Sequence, residues 1–84
     1  DSYFQKRAVF YTYLKNYQAA VADYDEAILI NQTKTEYYIS RALCHVTLKN
    51  YAAAYDDYGF TTMLNPNDAD SKKELQKLSM KNLG

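Results

Sequence analysis

The chain has 84 residues, with ten Lys/Arg against ten Asp/Glu, a net charge of zero and a pI near 6.8. That balance exerts no global electrostatic pull toward nucleic acid or an anionic lipid surface, so neither is expected as a partner. At 48% hydrophobic and 24% charged residues the composition is that of one ordinary folded unit, and two glycines and one proline are too few breakers for a multi-turn β fold.

Helices are predicted at about 3–15, 18–30, 36–48, 52–64 and 69–82. In the first, Phe4, Ala8, Tyr11 and Leu14 recur at spacings of four, three and three, which puts them on one face. Asn16 marks the end of that helix and the start of the next, since its side chain supports a turn by local hydrogen bonds. The second helix repeats the pattern with Ala20, Tyr24, Ala27 and Ile28. Asp23, Asp25 and Glu26 on the same segment read as a solvated acidic face. Thr33 with Glu36 three residues on predicts a capping box opening the third helix. Asn50 stands where Asn16 stood, Pro66 in NPND stops the fourth helix, and Gly84 closes the fifth.

The third and fourth helices rewrite the first and second. Residues 16–31, NYQAAVADYDEAILIN, align with residues 50–65, NYAAAYDDYGFTTMLN, at an offset of 34. Upstream the register holds, with Tyr3, Arg7, Ala8, Leu14 and Lys15 repeated as Tyr37, Arg41, Ala42, Leu48 and Lys49. A fixed period of this length signals a repeat architecture. Ala8 against Ala20, and Ala42 against Ala54, predict two close helix crossings with Tyr11 and Tyr24 filling the flanks of the first.

These residues resemble the tetratricopeptide repeat, whose 34-residue pattern is W-x2-L-G-x2-Y…A-x3-F…P. The first unit supplies Phe4, Arg7, Ala8, Tyr11, Ala20, Tyr24, Ala27 and Gln32, and the second Tyr38, Arg41, Ala42, His45, Ala54, Tyr58, Thr61 and Pro66. The resemblance implies an all-α chain, a right-handed solenoid of helix–turn–helix repeats, with units at 1–34 and 35–68 and a capping helix at 69–84. Several signature positions depart from the pattern. Arg7 and Arg41 replace a usual Leu, Gln32 replaces the Pro, and His45 and Thr61 are poorer packers. Each Arg has an Asp at the same later offset, Asp23 and Asp57. A guanidinium near a helix–helix seam needs a carboxylate, so two structural ion pairs are expected, Arg7 with Asp23 and Arg41 with Asp57.

No residue pattern points to catalysis, a cofactor or a metal. His45 reads as a packed or hydrogen-bonded residue, and the adjacent Cys44–His45 pair lacks further ligands for zinc. There is no glycine-rich phosphate loop. Lys72, Lys73, Lys77 and Lys81 gather on the last helix as a solubilising face. The sequon Asn31-Gln32-Thr33 lies in a turn and would be used only in a secreted protein. No apolar run approaches the ~20 residues of a membrane span, and DSYFQKRAVF at the start has no basic segment leading into an apolar one. The lone cysteine favours a reducing compartment, hence a cytoplasmic location. The missing initiator Met suggests a fragment of a larger protein or assembly, with Tyr3 and Phe10 on an outer face that upstream repeats or a second chain would cover.

The resemblance also implies a concave groove lined by the first helix of each unit. Its variable positions map onto Ser2, Gln5, Val9, Thr12 and Tyr13, and onto Glu36, Ile39, Leu43, Val46 and Thr47. Val9, Tyr13, Ile39, Leu43 and Val46 would make that groove partly apolar, the character of an interaction surface. The expected function is a module that binds a peptide or helical segment of a protein partner there, or packs within a larger complex. One alternative is the co-chaperone branch, which grips a C-terminal carboxylate with Lys and Asn. Arg7, Ala8 and Tyr11 are similar to that branch, but Lys6 and Ser40 stand where it has Asn, and Gln5 and Val9 do not supply the clamp. Another alternative is an accessory region of a larger enzyme.

Overall fold

The computed structural model describes residues 3–83. Five helices follow in chain order: α1 Tyr3–Tyr13, α2 Tyr17–Ile30, α3 Thr35–Thr47, α4 Tyr51–Leu64 and α5 Ala69–Leu83. Each packs on its neighbour in the chain, and no strand occurs among the described residues. Among these helices none is long and apolar enough to cross a membrane. The expected closure at Gly84 and groove position Ser2 lie outside the described residues.

Small residues set the spacing of the layers. Ala8, Ala20, Ala42 and Ala54 are all completely buried, where a larger side chain would force the helix backbones apart. Two cores result. The first joins Ala8, Ala20, Tyr24, Ala27 and Ile28 to Tyr37, Tyr38 and Cys44 of α3. The second joins Ala42, Ala54 and Tyr58 to Leu78 of α5, with Ile39, Val46, Tyr51 and Leu75 packed around it. Thr61, a poor packer by composition, is fully buried because its hydroxyl donates to the Asp57 carbonyl at 2.9 Å.

The two turns inside the repeats are copies of each other. After α1, Asn16 N donates to the Tyr11 carbonyl and Lys15 N to that of Thr12, at 2.9 and 3.0 Å. After α3, Asn50 N donates to His45 and Lys49 N to Val46, at 2.8 and 3.0 Å. This is the Schellman pattern, with Lys15 at φ 61° and Lys49 at φ 64° in the left-handed position. Asn16 then caps α2, its Oδ1 accepting from Ala19 N at 3.3 Å, whereas the Asn50 side chain makes no cap bond. Leu14, expected on the apolar face of α1, is exposed, since the helix ends at Tyr13 and the turn carries Leu14 off that face.

The capping box expected from Thr33 and Glu36 does not form. Lys34 is the N-cap residue of α3 and makes no side-chain cap bond, while Thr33 Oγ1 donates back to Asn31 Oδ1 at 3.2 Å. The short-range Asx turn at Asn31 takes that hydroxyl first. The same connection, where the repeat pattern would have Pro and this chain has Gln32, is pinned by the Tyr38 hydroxyl donating to the Gln32 carbonyl at 2.8 Å. The next connection caps α5 instead: Asp68 Oδ1 accepts from Ser71 N at 3.2 Å, and Ser71 Oγ donates to Asp68 Oδ2 at 2.9 Å.

Candidate functional site

Arg7 lies on α1 facing α2, and its Nε and Nη2 donate to the two oxygens of Asp23 at 2.7 and 2.8 Å. Arg41 repeats the arrangement on Asp57 at 2.8 and 2.6 Å. Both are two-pronged pairs in which the planar guanidinium matches the carboxylate. The Arg7 hydrogen bonds hold the Asp23 carboxyl below the usual range, with desolvation by burial opposing them. The same carboxylates, opposed by desolvation, raise both guanidinium pKa values. Asp23, Asp25 and Glu26 are therefore no uniform solvated face: Asp23 is buried, and Asp25 Oδ1 accepts from Arg41 Nη1 at 2.7 Å. His45 Nε2 lies 4.0 Å from Asp57 Oδ2, and its buried Nδ1 meets no hydrogen-bond partner.

A cleft of about 410 Å³ opens between α1 and α3 with α2 as its floor. Val9, Thr12 and Tyr13 come from α1, Tyr17 and Tyr24 from α2, and Ser40, Leu43, Cys44 and Thr47 from α3. Val9, Tyr13 and Leu43 stand exposed at its rim. Each threonine hydroxyl donates to a carbonyl of its own helix: Thr12 Oγ1 to that of Ala8 at 2.9 Å and Thr47 Oγ1 to that of Leu43 at 3.0 Å. Burial pushes the Tyr24 phenol up, against hydrogen bonding to Ser40 and Thr12. Burial likewise raises the Cys44 thiol, whose Sγ sits 3.9 Å from Thr12 Oγ1, so it stays a protonated wall group rather than a nucleophile. No lining residue of this cleft is a cation or an anion.

A second cleft, of about 310 Å³, continues past Leu43 toward α5. It is lined by Ile39, Leu43, Tyr58, Asp68, Asp70, Ser71 and Glu74. Burial first, then the nearby Glu74 and Asp57 charges, push the Tyr58 phenol up to about 12. Leu43 is shared by both clefts and divides an apolar half from an acidic half.

Of the expected groove residues, Val9, Thr12, Tyr13, Leu43 and Thr47 meet in the first cleft, and Ile39 lines the second. Val46 is half-buried against the second core, and Gln5 and Glu36 line neither cleft. Tyr17, Tyr24, Ser40 and Cys44 were not legible as lining residues. On α3 the open stripe is 40, 43, 44 and 47, one position round from 39, 43 and 46, and a helical spacing alone does not set that rotation.

No protein-family model matches the chain, and no curated protein matches it. Solved structures do. The first TPR domain of Spaghetti (RPAP3), bound to the HSP90 peptide SRMEEVD, is 28% identical with a TM-score of 0.88 over 96% of this chain. The first TPR domain of human RPAP3 is 30% identical with a TM-score of 0.82 over 92%. The second TPR domain of human RPAP3, in complex with the HSP70 peptide SGPTIEEVD, shares the fold at 24% identity and a TM-score of 0.80 over 90%. The chain spans 64%, 61% and 63% of the lengths of those three chains. In its 34-residue period, its helix pairs and its fold, the chain is similar to tetratricopeptide-repeat domains.

Proposed function

We propose that the chain is a protein-interaction module that takes a peptide or helical segment into the cleft between α1 and α3, anchored by a large aliphatic or aromatic side chain. The observation that carries this reading is the cleft itself: about 410 Å³, carbon-walled, with its threonine hydroxyls tied back and its rim open. Burying an apolar side chain there is favourable by ~25 cal/mol per Å² before ordering costs. The adjoining half carries Asp68, Asp70 and Glu74, so the segment beyond the anchor is neutral or basic. A reducing, cytoplasmic setting fits the buried free thiol of Cys44.

A co-chaperone role is the second reading, favoured by the likeness to a domain holding an HSP90 peptide. No cation lines either cleft, and Arg7 and Arg41 are already engaged by carboxylates. Isothermal titration with the peptide SRMEEVD, beside capture of partners from a cell extract by wild type and Leu43→Glu, separates the two. The expected result is no saturable heat with the acidic peptide, and specific capture weakened roughly tenfold or more by Leu43→Glu. Saturable binding of SRMEEVD, indifferent to Leu43→Glu, would establish the co-chaperone reading instead.

A further inference from the structure

The two clefts share three equivalent positions at the 34-residue offset: Val9 and Leu43, Tyr24 and Tyr58, Ser40 and Glu74. Their polar chemistry is not repeated. In the first cleft the buried Tyr24 phenol is met by the hydroxyls of Ser40 and Thr12. In the second, Val46 stands in the register of Thr12 and Glu74 in that of Ser40. Tyr58 is 2% exposed and lines the cleft, yet its hydroxyl makes no hydrogen bond among the described residues.

The carboxylates around that phenol differ in what already holds them. Asp68 is committed to capping α5, since its two oxygens accept from Ser71 N and Ser71 Oγ. Glu74 meets only the exposed Lys77, at 3.4 Å, and Asp70 meets no cation among the described residues. Four residues apart on α5, Asp70 and Glu74 are neighbours on one face, where like charges repel. No lysine or arginine lines the cleft. What stands open is a set of oxygen acceptors beside the hydrocarbon of Ile39 and Leu43, the complement of a cation on an alkyl stem.

We infer that the second cleft takes one lysine or arginine side chain of the bound segment, its stem along Ile39 and Leu43 and its cation among Asp70, Glu74 and the Tyr58 oxygen. The inference rests on the reading above, that a segment lies along the groove, and adds the charge of one of its side chains. That basic residue lies close to the apolar anchor, because Leu43 walls both clefts. A neutral side chain of the same length is rejected, since it would cover the carboxylates without supplying a donor.

The test uses small probes that do not need the first cleft. The isotope-labelled chain is titrated by NMR with Nα-acetyl-lysine methylamide and Nα-acetyl-arginine methylamide, and with their neutral norleucine and citrulline analogues. The expected result is saturable movement of the Ile39, Leu43, Asp70 and Glu74 amide signals by a cationic probe, with a Kd of ~10 mM or tighter, and none by the neutral ones. Asp70→Asn with Glu74→Gln weakens that binding by about tenfold or more, whereas Glu26→Gln, at an exposed acid of α2, leaves it unchanged. Tyr58→Phe, which keeps the packed ring, weakens it by about threefold. Equal movement by the lysine and norleucine probes, or binding indifferent to the Asp70 and Glu74 changes, overturns the inference and leaves these acids as charges on the first turns of α5. Absent probe binding, with partner capture still lost in Leu43→Glu, overturns this inference alone. Probe binding without such capture overturns the apolar anchor and leaves the cation site standing.

Discussion

Arg7 and Arg41 occupy positions where this repeat usually has leucine, and each is tolerated because the facing helix supplies a carboxylate in two-pronged contact. The equal offsets from Arg to Asp made those partners legible in the sequence. Asp25, which completes the Arg41 set, was not, because its partner lies across the junction between units. The Arg7–Asp23 pair carries a pH dependence with a definite sign. Asp23 has a folded pKa held below its unfolded value of ~3.9 by Arg7. Its contribution is therefore fully present above that unfolded value and is lost as pH falls through the depressed folded one. Thermal melts of wild type and Asp23→Asn between pH 7 and pH 2 should show wild type ahead at neutral pH and the gap narrowing below about pH 4. A gap unchanged across that range would mean that Asp23 acts by packing alone.

Among the elements, the turns divided most sharply between what could be read and what could not. The asparagines after α1 and α3 announced turns, but the residues that reverse the chain are Lys15 and Lys49, whose left-handed φ angles no lysine advertises. They hold that conformation because the Schellman hydrogen bonds and the packed helix pair on either side determine it. A non-glycine residue is penalised there by roughly 1–2 kcal/mol, part of which glycine returns through its freer unfolded chain. Lys49→Gly is expected to stabilise the protein by about 0.5–1 kcal/mol, seen as a higher urea midpoint at unchanged slope. A lower midpoint would show that the lysine side chain contributes more than its backbone strain removes. The failed Thr33–Glu36 cap has a related cause: two local hydrogen-bonding schemes competed, and the one nearer in sequence won.

At the scale of the whole molecule, stability rests on coupling between neighbouring units, because each helix packs on those adjacent in the chain. The first core already crosses a unit boundary, joining α2 residues to Tyr37, Tyr38 and Cys44 of α3. The Asp25–Arg41 pair lies over the same boundary but is half-exposed on the Asp side, so solvent screens much of its attraction. Asp25→Ser should therefore cost only about 0.5–1 kcal/mol, read as a drop in urea midpoint with a single transition retained. A split into two transitions would show that this pair, rather than the shared core, makes the units unfold together.

The sequence by itself determined the helical class, the 34-residue period, the alanine crossings and the two Arg–Asp pairs, because these follow from identities repeated at a constant spacing. Tertiary structure decided which stripe of α3 opens into the cleft and where the acidic half adjoins it. Spacing defines a stripe on a helix but not the rotation of that helix against its neighbours. That rotation is settled only when buried Ala42 and Ala54 and the Arg41 contacts to Asp57 and Asp25 are satisfied together.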